Sequence, residues 1–222
     1  MKIFLDTAIL DEIREADSWG ILDGVTTNPS LAAKVGRDFK SNIMAISDLI
    51  GNRAGTVSAE TVALETAQMV EEGRLVTSWA DNIVAKIPCT PAGLAAVKQL
   101  SQEGIRTNVT LVFSANQGLL AMKAGATYIS PFIGRLDDAG HDGMEVIRQL
   151  VTIKQNYGFE SEILAASIRH SQHVLQAALA GADIATMGFK TLKKIALHPL
   201  TDTGLQRFLD DWASIDASMR PF

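Results

Sequence analysis

The run Asn82-Ile83-Val84-Ala85-Lys86-Ile87-Pro88 sets a single amine in an otherwise apolar stretch closed by proline. Side chains along a strand alternate in direction, so Val84 and Lys86 share one face while Ile83, Ala85 and Ile87 share the other. A strand apolar on both faces belongs to a parallel sheet covered by helices, where an ammonium group is costly. Desolvation favours the neutral amine, and a neutral lysine is a nucleophile. Alone, the run also fits a plainer reading, an edge-strand lysine that discourages aggregation.

The ends of the other apolar runs argue for the reactive reading. In chain order they carry Asp6, then Thr26 and Asn28, Glu60, Lys86 itself, Asn108 and Thr110, Ser130, and finally Ser167 and Arg169. Each has a duller explanation. Asp6, Asn28 and Ser167 could cap helices. Glu60 could neutralise Lys86 as a structural pair, although an unrewarded buried ion pair rarely helps stability. Arg135 and Arg169 could be ordinary surface charges. Their convergence on one set of strand ends is what favours a site. The chemistry that fits is imine formation: an amine attacks a ketone, and a nearby acid or base moves protons as the carbinolamine loses water. Asp6, Glu60 and the Thr110 hydroxyl could move those protons. Arg135 and Arg169, with Ser167 and its backbone, could clamp a phosphate. The residues thus point to a lysine-dependent lyase or transferase acting on a phosphorylated keto compound.

The elements that must position these groups alternate regularly. Strands are expected at Lys2–Leu5, Asp23–Val25, Thr56–Ala59, Asn82–Pro88, Ile105–Val109, Thr127–Ser130, Glu162–Ala166 and Ala182–Met187. Between them the pattern predicts a helix capped by Thr7 with apolar positions Ala8, Ile9, Ile13 and Ala16, and one opened by Asn28-Pro29 that runs from Ser30 towards Ile50. Further helices are expected at Thr61–Glu72, Thr90–Glu103, Ser114–Ala124, Gly143–Asn156, Ser171–Ala180 and Phe189–Leu197, with a turn-rich loop through Arg135, Asp137, Asp138 and Gly140. A strand–helix unit every 25 to 27 residues or so, without a linker, predicts a single α/β domain, a closed (β/α)8 TIM barrel whose site lies at the C-terminal strand ends. An open doubly wound sheet is the other candidate, but the sequence has neither G-x-G-x-x-G nor G-x-x-x-x-G-K. An extra helix follows at Thr201–Ser214, with Leu205, Phe208, Leu209 and Trp212 on one stripe.

Composition sets wider limits. The 222 residues are 47% hydrophobic and 20% charged, ample for a sizeable core, and the net charge of −5 argues against nucleic acid or an anionic membrane as partner. It leaves a small phosphorylated substrate open, since that needs only a local basic cluster. The one cysteine, Cys89, excludes an internal disulfide framework. No apolar run approaches the roughly 18 residues of a membrane span, and the N-terminus meets Asp6 too early for a signal-peptide core, so a soluble cytoplasmic protein is expected. His170 and His173, three apart at a helix start, lack an HExxH pattern and a cysteine partner for a metal site. Asp137, Asp138, His141 and Asp142 lack the spacing of a calcium loop.

The segments Phe4-Leu5-Asp6-Thr7, Gly24-Val25-Thr26-Thr27-Asn28-Pro29-Ser30, Val84-Ala85-Lys86-Ile87-Pro88, Ile129-Ser130-Pro131-Phe132-Ile133-Gly134-Arg135 and Ala166-Ser167-Ile168-Arg169 together resemble the transaldolase family, in its short subfamily that also contains fructose-6-phosphate aldolase. The resemblance spans essentially the whole chain. It implies a (β/α)8 barrel in which Lys86 forms an imine with a ketose phosphate, and Asp6 takes the proton of the C4 hydroxyl as the C3–C4 bond breaks. It further implies that Glu60 and Thr110 hold the water of imine formation, and that Thr26 and Phe132 count among the substrate-binding residues. Asn28, Asn108 and Ser130 would bind the retained three-carbon unit, and Arg135, Ser167 and Arg169 the phosphate. No metal or organic cofactor is implied. Aldolase-type members resemble this chain except for glutamine at Glu60 and tyrosine at Phe132. A phenylalanine cannot protonate the enamine, so the expectation is a transferase carrying dihydroxyacetone from sedoheptulose 7-phosphate to glyceraldehyde 3-phosphate in the pentose phosphate pathway. The alternatives are a fructose-6-phosphate aldolase and a non-catalytic phosphosugar-binding barrel. The terminal helix resembles one that reaches a neighbouring subunit in pentameric rings stacked as decamers, which implies a homodecamer or homopentamer.

Overall fold

In the computed structural model, which describes residues 1–51 and 55–220, eight parallel strands close into a barrel in strict chain order, the last pairing with the first. They are β1 (Lys2–Asp6), β2 (Gly24–Thr26), β3 (Thr56–Glu60), β4 (Ile83–Pro88), β5 (Thr107–Val112), β6 (Tyr128–Pro131), β7 (Glu162–Ile168) and β8 (Ile184–Met187). The helices are α1 (Leu10–Ser18), α2 (Pro29–Val35), α3 (Phe39–Gly51), α4 (Thr66–Thr77), α5 (Pro91–Gln102), α6 (Ala115–Ala124), α7 (Ile133–Asp138), α8 (Gly143–Tyr157), α9 (Ser171–Ala180), α10 (Phe189–Ala196) and α11 (Pro199–Ser214). This is the expected (β/α)8 barrel with an added C-terminal helix.

The alternation expected for β4 divides the core in two. Ile83, Ala85 and Ile87 face outward into the layer packed under the helices. Val84 faces the barrel axis with Phe4, Tyr128, Leu164, Ala166 and Ile184. Phe4 meets Tyr128 edge to face, ring centroids 6.2 Å apart. Its ring also crosses to β2, where a Cβ on Gly24 would lie 2.6 Å from Phe4 Cζ. Only glycine admits the ring there. These side chains form an apolar floor. Because a strand presents alternate residues to one face, the next inward position on each strand lies above that floor. Those positions are Asp6 after Phe4, Lys86 after Val84, Ser130 after Tyr128 and Thr186 after Ile184.

The local differences from the sequence expectation have local causes. The helix expected from Ser30 to Ile50 is broken: Gly36 ends α2 in a left-handed conformation, φ 65°, and Asp38 restarts the chain by accepting from the Ser41 N–H at 2.9 Å. The helix expected from Thr61 begins only at Thr66, because the Thr61 N–H is used by the Lys86 carbonyl at 3.0 Å and those of Val62 and Ala63 by the Glu72 carboxylate. Thr7 does not cap its helix directly. Its hydroxyl accepts from the Ile9 N–H and donates to Glu12, so α1 starts at Leu10 and Ile9 is exposed. The loop expected through Arg135 is instead the short helix α7. β5 and β7 both run further than expected, each past a register shift and each through a non-glycine residue in the left-handed region, Leu111 and Ser167.

Candidate active site

Lys86 is buried, 4% exposed, and Glu60 and Asn108 sit level with it on the two flanking strands. Its ammonium lies 2.9 Å from Glu60 Oε2 and donates to the Thr27 carbonyl at 2.9 Å. The buried amine expected from β4 is therefore present together with the carboxylate that could neutralise it. The Thr27 carbonyl, which the sequence did not single out, fixes where the amine points.

Asp6 stands across the same cavity. Thr26 donates to Asp6 Oδ1 at 2.8 Å, and the Thr26 and Thr186 hydroxyls are 2.6 Å apart. With the proton of Thr26 given to a carboxylate, Thr186 is the donor of that second bond. Burial raises the Asp6 pKa above the ordinary aspartate value, opposed by the charge of Lys86 and by the Thr26 hydrogen bond. Next to Lys86, Asn108 donates to Ser58 Oγ at 3.0 Å and accepts from Ser130 at 2.7 Å. Thr110 is fully buried, and its hydroxyl has no hydrogen-bond partner among the described residues.

A cavity of about 310 Å3 opens over these groups, lined by Asp6, Thr26, Asn28, Lys86, Ser130, Phe132, Arg135, Ser167 and Arg169 of the expected set. Glu60, Asn108 and Thr110 are not in its lining; Glu60 touches it through Lys86, and Asn108 through Ser130. Asn28 also performs the plainer task considered for it, accepting the Leu31 N–H at 3.0 Å as the cap of α2. At the far end the Arg135 guanidinium lies 5.3 Å from the centre of the Phe132 ring, and Arg169 pairs with Asp138 at 2.7 Å. α7 packs tightly there, since a Cβ on Gly134 would be 2.0 Å from the Ser167 carbonyl oxygen. A larger cavity, about 620 Å3, lies at the opposite end of the barrel around Arg106, Glu160 and Glu162. It contains none of the groups just described.

Ser58 and Thr186 contribute to the site and were absent from the sequence reading. The signal was available: Ser58 lies two residues before Glu60, and Thr186 two after Ile184, so each points inward by strand alternation. Reading only strand ends passes over them. Among the described residues, no group of three or more His, Cys, Asp or Glu side chains is placed to hold a metal ion.

A lysine paired to a carboxylate, an aspartate in reach of the same cavity and two arginines at its rim coincide with a match of residues 3–219 to the family model for transaldolase/fructose-6-phosphate aldolase. The chain belongs to that family. Relatives named probable transaldolase include those of Herpetosiphon aurantiacus, 58% identical over 97% of this chain and 96% of that one, and of Aquifex aeolicus, 55% identical over 97% and 98%. A solved thiamine phosphate pyrophosphorylase from Pyrococcus furiosus is similar in fold, with a TM-score of 0.59, 14% identity and 84% of each chain covered. At that identity the likeness concerns the barrel alone. In this transaldolase-family enzyme Lys86 stands on the inner face of β4, paired with Glu60 and oriented by the Thr27 carbonyl.

Thr26→Val removes a donor to the Asp6 carboxylate and so destabilises its charged form. The Asp6 pKa, already raised by burial, is expected to rise further in this variant. Carboxyl-carbon NMR titration of Asp6 in the two proteins checks this, and an unchanged or lower value contradicts it.

Proposed function

We propose that the protein is a transaldolase that moves a dihydroxyacetone unit from sedoheptulose 7-phosphate to glyceraldehyde 3-phosphate. The observation that carries this reading is the buried Lys86–Glu60 pair facing a polar cavity that also holds Asp6. Lys86 attacks the keto carbon after Glu60 accepts its proton. The carbinolamine then loses its hydroxyl as water, with Glu60 and the otherwise unpaired Thr110 hydroxyl holding that water. Asp6 takes the proton of the C4 hydroxyl, the C3–C4 bond breaks, erythrose 4-phosphate leaves and the three-carbon enamine stays bound to Lys86. The enamine then attacks the aldehyde carbon of the acceptor, Asp6 returns its proton to the new hydroxyl, and water releases fructose 6-phosphate.

The surroundings fit these steps. Asn28, Asn108 and Ser130 bind hydroxyls of the retained unit; Asn108 and Ser130 are already oriented by each other and by Ser58. Arg135, Ser167 and Arg169 take the phosphate at the open end. The reaction needs no metal or organic cofactor. Its place is the non-oxidative pentose phosphate pathway in the cytoplasm. Names of relatives at 55–58% identity support the same activity. Phe132 supports transfer over cleavage, because a ring without a hydroxyl lines the cavity where a proton donor would release the enamine.

The same reading covers quaternary structure. α11 buries none of its residues, and Leu205, Phe208 and Leu209 are exposed along it, an apolar stripe that suits a neighbouring subunit in a pentameric ring or a decamer of two rings. Light scattering is expected to give an oligomeric mass; a monomer would end this part of the proposal.

Fructose 6-phosphate alone is expected to be consumed slowly, and erythrose 4-phosphate to accelerate its turnover by on the order of 100-fold, the scale of a missing general acid. Phe132→Tyr is expected to raise the acceptor-free rate by about tenfold or more. Equal rates with and without acceptor would favour the aldolase.

A further inference from the structure

His173 lies in the first turn of α9, buried to 4% exposure, and both of its ring nitrogens are engaged. Nδ1 accepts the backbone N–H of Arg169 at 3.3 Å. The ring proton is therefore on Nε2, which faces Asp137 Oδ2 at 2.7 Å. Burial and the neighbouring His170 hold the His173 pKa below the ordinary value, against the pull of Asp137, which suits a neutral ring with one acceptor and one donor. The other Asp137 oxygen is fixed in turn, accepting the Gly143 N–H at 2.8 Å.

The imidazole thus joins two parts of one corner. Asp137 is on α7, two residues after Arg135 on the same short helix; Arg169 follows β7, two residues after Ser167. Both arginines line the cavity. The ion pair between these parts, Arg169–Asp138, is half exposed on both sides, and such pairs hold little. The histidine, 4% exposed and bonded through both ring nitrogens, is the stronger constraint.

We propose that His173 is a positioning residue for anion binding: it fixes the Arg169 backbone against α7 so that the Arg135 and Arg169 guanidiniums converge on one phosphate. The inference rests on reading this corner as the phosphate end of the site. With both ring nitrogens used in this way, His173 offers none to a metal ion.

The test compares acceptors with and without a phosphate. With donor saturating, KM and kcat are measured for glyceraldehyde 3-phosphate and for glyceraldehyde in the wild type and in His173→Leu, His173→Asn and His173→Gln. Asn keeps an acceptor where Nδ1 stands, whereas Gln reaches only the Nε2 position. Leu is expected to raise KM for the phosphorylated acceptor by about tenfold, the scale of a lost hydrogen bond to an anion clamp, with glyceraldehyde kinetics within about twofold. Asn is expected to recover most of the loss and Gln to recover little. Equal effects on the two acceptors, no effect, or recovery by Gln and not by Asn would overturn the proposal. If Leu does not fold, the Asn–Gln contrast decides. A wild type that transfers to neither acceptor rejects the transaldolase reading instead. Binding of inorganic phosphate, expected to weaken about tenfold in His173→Leu, then decides the role of His173.

Discussion

An ammonium and a carboxylate held 2.9 Å apart inside a barrel are the constraint to which the rest of this structure answers. Taking both charges out of water is unfavourable, and their attraction only roughly offsets the loss. Removing either one strands the other, at about 3–5 kcal/mol. A pair in that position adds little to stability and gives the amine a resident proton acceptor. The Thr27 carbonyl supplies the third contact, so the lysine is oriented before any substrate arrives.

The barrel satisfies this constraint through its pleat. Phe4, Val84, Leu164 and Ile184 close the lower interior with side chains that need no partner, and the Tyr128 ring packs among them. One inward step further along the same strands the polar groups begin, each tied to a neighbour. Asp6 is joined to Thr26 and Thr26 to Thr186; Ser130 is joined to Asn108 and Asn108 to Ser58. Such satisfied networks in a low-dielectric interior hold side chains in single positions. The hydroxyl of Thr110 and the arginines at the rim stand apart from them, and these are the groups to which the proposed chemistry assigns water and phosphate.

The sequence made the barrel legible because a buried parallel strand has a two-sided apolar signature and the units recur at even spacing. The candidate site was legible for a related reason: polar residues at the ends of such runs, from Asp6 to Arg169, have few structural uses in common. What escaped depended on contacts distant in sequence. Thr61 stays outside α4 because its N–H bonds to a strand two elements away. The stretch through Arg135, Asp137 and Asp138 reads as a turn-rich loop, yet it is helical in α7, where Gly134 lets the helix press on the Ser167 carbonyl. The break at Gly36 is the exception, since glycine followed closely by Asp38 is a stop-and-start signal within the sequence itself.

Imine chemistry here requires Lys86 Nζ to take the keto carbon. Borohydride reduction in the presence of fructose 6-phosphate, followed by peptide mass spectrometry, tests this without reference to rate. The predicted result is a reduced three-carbon or sugar adduct on the Lys86 peptide alone, absent in Lys86→Met. An unmodified Lys86 in a protein that binds the sugar would describe a phosphosugar-binding barrel instead and contradict the account.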